Sequence, residues 1–247
     1  MNIIKTTLVS TLLAISPVTL AGIIDFEDYT SGTIIDNEYS SSDGITFNGV
    51  NIAKDADNLA VLFDTSNYSG GDSDLEAPFF NNDNSGEISP GNVLIIHENP
   101  NECNESTCTD PDDEGSRAAG YFSINFAEAV TLNSIDFFDI ETVEHGTSEF
   151  NLISFFDIND VEISPNTFYT PDTGGDNKWA RLDFGLSGVS SMKISLYGSG
   201  AIDNINYTKV TAPSPATEVP EPTTLAIFAL GIMGLVSRRS LFTKKKQ

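Results

Sequence analysis

Basic residues are what this chain most lacks: 12 Lys and Arg stand against 36 Asp and Glu in 247 residues, a formal net charge of −24. The deficit is deeper in the middle. Lys5 lies near the N-terminus and Arg238, Arg239, Lys244, Lys245 and Lys246 lie at the C-terminus, leaving residues 22–218 with 35 acids and 6 bases, a formal charge of −29. A region this acidic repels nucleic acid and anionic lipid, so no nucleic-acid partner is expected. It also repels itself, and the compact state gains if cations neutralise some of the carboxylates. Bound divalent ions meet that need, and plain solubility is the simpler use of the same charge.

Histidine and cysteine are scarcer still. With only His97 and His145, and with no G-x-S-x-G or H-E-x-x-H pattern, the chain lacks the usual parts of a serine hydrolase or a zinc protease. Glu141 and Glu144 are the residue types of a glycosidase pair, but that chemistry depends on a carboxyl separation a sequence does not contain. His97 closes an apolar run beside Glu98, where a loop or strand-edge role is expected. Cys103 and Cys108, with four residues between them and no histidine nearby, do not make a zinc site. In an oxidising compartment they are expected to form a disulfide closing a small ring within one loop.

Sustained helical periodicity is also missing. Short apolar or alternating runs succeed one another at residues 23–26, 45–47, 59–63, 93–97, 121–126, 132–140, 150–157, 179–184, 192–197 and 201–207, bounded by Gly, Asn, Asp, Ser or Pro. About ten such runs predict an all-β domain over residues 22–207, an antiparallel β-sandwich of jelly-roll type with helix confined to short pieces. Within 121–126, Phe122, Ile124 and Phe126 fall on one face and Tyr121, Ser123 and Asn125 on the other, so the first set is expected in the core. Asp157-Ile158-Asn159-Asp160 reads as a hairpin turn. Residues 81–90 and 99–116 are polar and long enough to be functional loops.

The two ends read as targeting segments. Residues 1–21 begin with Lys5, continue through an apolar stretch and end on Thr19-Leu20-Ala21, the pattern of a secretory signal peptide cleaved after Ala21. Residues 208–218 read as a linker rich in Pro, Thr and Ala, followed by Pro220-Glu221-Pro222. Residues 223–236 carry no charge and would make roughly 21 Å of helix, short of a bilayer interior of about 30 Å. A span over about residues 223–238 therefore suits a transient transmembrane helix better than a permanent anchor. The basic residues after it keep the C-terminus cytoplasmic and place the acidic domain outside.

Proline-acid-proline, a hydrophobic helix and a basic end, in that order over residues 219–247, resemble the PEP-CTERM sorting signal of Gram-negative bacteria. The resemblance implies export through the Sec translocon, cleavage by signal peptidase, and recognition of the tail by exosortase, an integral-membrane cysteine transpeptidase. On that likeness Pro220, Glu221, Pro222, Arg238 and Arg239 form the sorting signal. The implied destination is the cell surface or the extracellular matrix, with exopolysaccharide as the partner it suggests. Ile24-Asp25-Phe26-Glu27, Phe63-Asp64-Thr65, Gly70-Gly71-Asp72-Ser73-Asp74-Leu75, residues 91–96 and Ser199-Gly200-Ala201-Ile202-Asp203-Asn204-Ile205 resemble an extracellular β-sandwich found in many such proteins, similar in outline to carbohydrate-binding jelly rolls.

Three functional expectations follow. The first is a non-enzymatic exported domain stabilised by calcium. Asp203 shares a strand face with Ala201, Ile205 and Tyr207 and needs compensation there, while Glu27, Asp72 and Asp74 supply further hard oxygens. Asp110 to Gly115 has acids at EF-hand positions one, three and five but Tyr121 at twelve, so at most one of its carboxylates is expected in an irregular site. The second is a carbohydrate-binding module using Trp179 and Tyr169, with Tyr68 and Phe168 as further aromatics near polar loops. The third is a secreted hydrolase.

Overall fold

The computed structural model describes residues 18–144, 146, 148–211 and 230. The chain divides into two units; Thr19–Val210 is the one described here, and the other, Met1–Val18 with Thr211–Gln247, lies almost wholly outside the described residues. The expected transmembrane helix and the sorting residues fall in that second unit, so the geometry below concerns the acidic domain alone.

Nine strands form among the described residues: β1 (Val18–Ile24), β2 (Ile45–Asn51), β3 (Ala60–Asp64), β4 (Asn92–Ile96), β5 (Gly120–Phe138), β6 (Leu152–Phe156), β7 (Glu162–Tyr169), β8 (Trp179–Leu196) and β9 (Ala201–Thr211). Among the described residues of Thr19–Val210, helix is three single 3₁₀ turns, as the lack of helical periodicity there predicts. The strand order is β3-β4-β9-β5-β8-β6-β7, with β1 added on β9 and β2 on β5. Pairing is antiparallel from β2–β5 through β6–β8. The result is an antiparallel β-sandwich.

Two strands are longer than the sequence patterns suggest. The run at 121–126 and most of the run at 132–140 belong to the single 19-residue β5, whose register against β8 shifts between Asn125 and Val130. Bends of this kind let one strand serve both layers: the first half of β5 pairs with β2 and the second half with β9. Likewise β8 absorbs the runs at 179–184 and 192–197, and Gly185 and Gly188, at φ 59° and 83°, provide the irregular backbone between them. β7, which contains Pro165, lies at a sheet edge, where a missing N–H is tolerated.

The main core is lined by β2, β5, β8 and β9. Phe122, Ile124 and Phe126 are buried on β5 while the alternate residues face outward, as the alternation predicts. β9 is flanked by β4 and β5, and both Ile202 and Ile205 enter this core with Tyr207. A second, smaller core of Val61, Phe63, Leu75, Phe79, Val93, Ile95 and Phe138 lies under the long β3–β4 connection. Leu75 and Phe79 pin that connection, which would otherwise be a polar loop. Burying each such side chain contributes about 1.5–3 kcal/mol.

β1 begins inside the segment expected to be removed with the signal peptide, so cleavage after Ala21 would leave Gly22–Ile24 of it. Gly22 sits against the Tyr207 ring, where any Cβ would overlap. At the other end β9 runs to Thr211, past the expected domain boundary at 207. The Asp157–Asp160 turn forms the β6–β7 hairpin: Asp157 Oδ1 accepts from the backbone N–H of Asn159 (2.8 Å) and Val161 (2.9 Å), and Asp160 takes φ 58°.

Cys103 and Cys108 are disulfide-bonded, with Cys108 buried in the smaller core. Closing a loop this short constrains the unfolded chain by about 2 kcal/mol. The double variant Cys103→Ser with Cys108→Ser is accordingly expected to lose about that much stability in urea unfolding, and an unchanged midpoint would show that the loop is held by its hydrogen bonds alone.

Candidate metal centre

Six aspartates converge at one end of the sandwich in two adjacent triads, Asp72 with Asp112 and Asp113, and Asp74 with Asp139 and Asp176. Within each triad one carboxylate oxygen per residue lies within 4.8 Å of the others. Their origin explains why the fold gathers them. Asp72 is the N-cap residue of the 3₁₀ turn Ser73–Leu75 in the β3–β4 connection, Asp74 lies within it, and buried Leu75 anchors it. Asp112 and Asp113 come from the β4–β5 connection, Asp139 directly follows β5, and Asp176 precedes β8.

Backbone contacts lock these segments together. Gly70 N–H donates to Asp110 Oδ1 (2.9 Å) and Ser69 Oγ to the Pro111 carbonyl (2.7 Å), joining the first two loops. Gly70 takes φ 66° and packs so closely on Asp112 that a Cβ there would strike its carboxylate. Asn177 N–H donates to the Asp74 carbonyl (2.8 Å), and Asp139 N–H to the Lys178 carbonyl (3.0 Å). Asp113 Oδ2 accepts from Gly200 N–H, tying the centre to the start of β9.

No cationic side chain faces the centre among the described ion pairs: Lys54 serves Glu98 and Glu114, Arg117 serves Glu141 and Glu144, and Arg181 serves Asp136. Two oxygens, Asp72 Oδ2 and Asp139 Oδ1, are buried with no hydrogen-bond partner. Burial, followed by the neighbouring Asp113 and Asp74 carboxylates, pushes Asp72 well above the ordinary aspartate range, and burial raises its partner Asp113 too. Burial chiefly, then Asp113, Asp74 and Asp176, raises Asp139 to about 9. Asp112 rises to about 6, again from burial first and then Glu98. Buried acids crowded without a counter-charge must either hold protons or share a cation.

The donor set is all carboxylate oxygen, which suits calcium, magnesium or manganese rather than zinc or copper. Calcium tolerates irregular geometry with six to eight oxygens at about 2.3–2.6 Å, and a triad of carboxylates with carbonyls and water can reach that number. The other triad, His97 with Cys103 and Cys108, has both sulfurs in the disulfide and so offers no thiolate. His97 is fully buried, which differs from the expected edge position. The β4–β5 connection folds over it, Asp112 N–H donates to its Nδ1 (3.3 Å), and burial lowers its pKa.

The residues expected at one calcium site divide. Asp72 and Asp74 enter the two triads, while Glu27 and Asp203 enter neither. Glu27 Oε1 accepts from Asn92 N–H (2.6 Å), covering Gly91 where the chain leaves the turn at φ 82°. Asp203 is buried opposite Asp136 across the β5–β9 ladder. Asp136 is gripped by the Arg181 guanidinium (2.7 and 2.8 Å), whereas Asp203 receives only Asn204 Nδ2 (2.9 Å) on one oxygen and nothing on the other. Burial raises Asp203 to about 9, with Asp136, Asp25 and Glu27 adding to it. The chain ends do lie side by side, with β1 paired on β9, and the acids they bring toward Asp203 disfavour its charge.

Trp179 and Tyr169 are both half-buried. The Trp179 indole packs on the smaller core and donates its N–H to the Gly86 carbonyl (2.8 Å). A different surface offers more open aromatics. Phe150, 42% exposed, stacks with Tyr197 at 5.6 Å, and Lys193 Nζ lies 3.9 Å over the Tyr121 ring. Phe150, Tyr121 and Lys193 line a groove of ≈ 270 Å³ with Ile52 and Glu149.

Among solved structures, wild-type discoidin II from Dictyostelium discoideum aligns with a TM-score of 0.30 and 10% identity, covering 66% of this chain and 59% of its own. The chain thus spans under two thirds of that protein's length, and the likeness is too slight to carry a function. No curated protein matches the chain. The sorting residues Pro220, Glu221, Pro222, Arg238 and Arg239 lie outside the described residues, but all fall within the stretch that a family model matches. That match covers residues 218–240 and is to the PEP-CTERM protein-sorting motif: the chain carries a C-terminal sorting signal.

Proposed function

We propose that this protein is a non-enzymatic component of the cell surface or extracellular matrix. It is exported by the Sec translocon and signal peptidase, held briefly by its C-terminal helix, and passed on by an exosortase-type transpeptidase. The observation that carries this reading is the sorting motif at residues 218–240, placed directly after an acidic β-sandwich. The non-enzymatic reading is supported by the use made of Glu141 and Glu144. Both are held by the Arg117 guanidinium, at 3.1 and 3.0 Å, which fits a structural clamp rather than a free acid and base.

Calcium is proposed as the structural ion, bound by Asp72, Asp112 and Asp113. The unpartnered Asp72 Oδ2 and the absence of a facing cation among the described residues support it. Deleting residues 218–247 in the native host is the test of delivery. Loss of the protein from the surface fraction, with accumulation as a soluble exported species, is expected; unchanged surface display would remove the reading.

Carbohydrate binding is a second reading, favoured by the Phe150–Tyr121 groove. An exposed ring beside Lys193 and Glu149 offers a stacking face and polar partners together, the combination a pyranose needs. Phe150→Ala is expected to abolish retention on the host's exopolysaccharide without lowering the melting temperature. Undiminished retention would exclude that groove.

A further inference from the structure

We infer that the acidic end holds two ions rather than one, the second on Asp74, Asp139 and Asp176; this rests on the calcium reading of the first triad. Asp139 is the residue that demands it. Its side chain is 1% exposed, its Oδ1 has no hydrogen-bond partner, and its carboxylate lies within 4.8 Å of those of Asp74 and Asp176. The first ion does not remove this need, because Asp139 belongs to the other triad.

The 3₁₀ turn Ser73–Leu75 serves both positions. Asp72 at its start faces Asp112 and Asp113, and Asp74 within it faces Asp139 and Asp176. Six aspartates bring six formal negative charges to the end of the sandwich, so one divalent ion leaves four and two leave two. The largest charge effects on Asp139 all come from acids, namely Asp113, Asp74, Asp176 and Glu144. Among the described ion pairs, no basic side chain pairs with Asp74, Asp139 or Asp176.

The two positions differ in access. Asp113 is buried, with one oxygen already taken by Gly200 N–H, whereas Asp176 is exposed. Water therefore completes the shell of the second ion, which exchanges more freely and binds more weakly than the first. Its structural effect is local. Asn177 N–H to the Asp74 carbonyl and Asp139 N–H to the Lys178 carbonyl already hold the segment before β8 against the turn, and the ion closes the same junction from the side-chain side.

The single tryptophan makes the second position visible. Trp179 follows Asp176 by three residues and pairs across the ladder with Phe138, the neighbour of Asp139. Terbium, an oxygen-seeking substitute for calcium, is expected to show emission sensitised by Trp179, displaced by calcium, retained in Asp112→Asn and lost in Asp139→Asn. Calcium titration of the exported protein is expected to give two ions per chain, falling to one in Asp139→Asn. Asp139→Asn removes a buried, unpaired acid, so its melting curve in EDTA should match or exceed that of the wild type. Should it fail to fold, the exposed Asp176→Ala carries the same test. One ion per chain, unaltered by either variant, overturns the second site and leaves the first standing; no calcium bound at all overturns both.

Discussion

Stripping divalent cations with EDTA is expected to lower the melting temperature of the exported protein by about 5–10 °C, and excess calcium to restore it. A ligand that binds only the native state at a hundredfold excess over its Kd adds about 2.7 kcal/mol. For a domain of this size each kcal/mol moves the midpoint by about 2–4 °C. The effect should be this large because the folded chain without cations holds Asp72, Asp113 and Asp139 buried together with no basic partner among the described residues. Asp113→Asn should remove the larger part of the response to calcium, leaving that of the Asp74–Asp139–Asp176 position, and raise the midpoint in EDTA, since it removes one of the repelling groups. Superimposable melting curves with calcium and with EDTA would contradict the metal centre.

The second large effect is on pH dependence and comes from Asp203, away from that centre. Its carboxyl titrates near 9 in the folded protein, because burial and the carboxylates of Asp136, Asp25 and Glu27 disfavour its charge. In the unfolded chain it titrates near ~3.9. Between those values the native state keeps a proton that the unfolded state has released, so stability falls as pH rises. The contribution is fully present below about pH 4 and is lost as pH passes 9. At about 1.4 kcal/mol per unit, even half of that difference amounts to about 3.5 kcal/mol. Asp203→Asn should flatten the fall in stability between pH 5 and 9 in urea titrations in EDTA, and an undiminished slope would show that Asp203 is ionised and solvated. Arg181 must be kept in this comparison, because it holds Asp136, which is buried beside Asp203.

The sandwich was readable where the pattern is local. Phe122, Ile124 and Phe126 alternate with polar residues and all three are buried; the Asp157–Asp160 turn follows from residues that accept left-handed backbone. It was not readable where strands run through what looks like punctuation. Gly185 and Gly188 resemble turn residues, yet they supply bulges that keep β8 continuous, and the irregular register of β5 after Asn125 does the same without a glycine. β7 was hidden by its proline and polar residues, which its edge position permits.

The acidic centre shows the same divide. Asp72 and Asp74 stand out locally, between paired glycines and an apolar anchor. Asp112 lies in a loop whose near-match to an EF-hand warranted one carboxylate. Asp139 and Asp176 carry no local signal. They meet because Phe138 pairs with Trp179 across β5 and β8, and no spacing in the chain expresses that ladder. Asp203 was marked as needing compensation from the apolar face it shares; that Asp136 stands opposite it and Asn204 donates to it follows from the β5–β9 ladder, which no local pattern expresses.

The most direct test of the account is intact-mass spectrometry of the protein recovered from the surface of its native host. The predicted mass lacks residues 1–21 and ends near Pro220-Glu221-Pro222, without Lys244, Lys245 and Lys246. A surface protein that still carries Lys246, in cells that possess the transpeptidase, would contradict it.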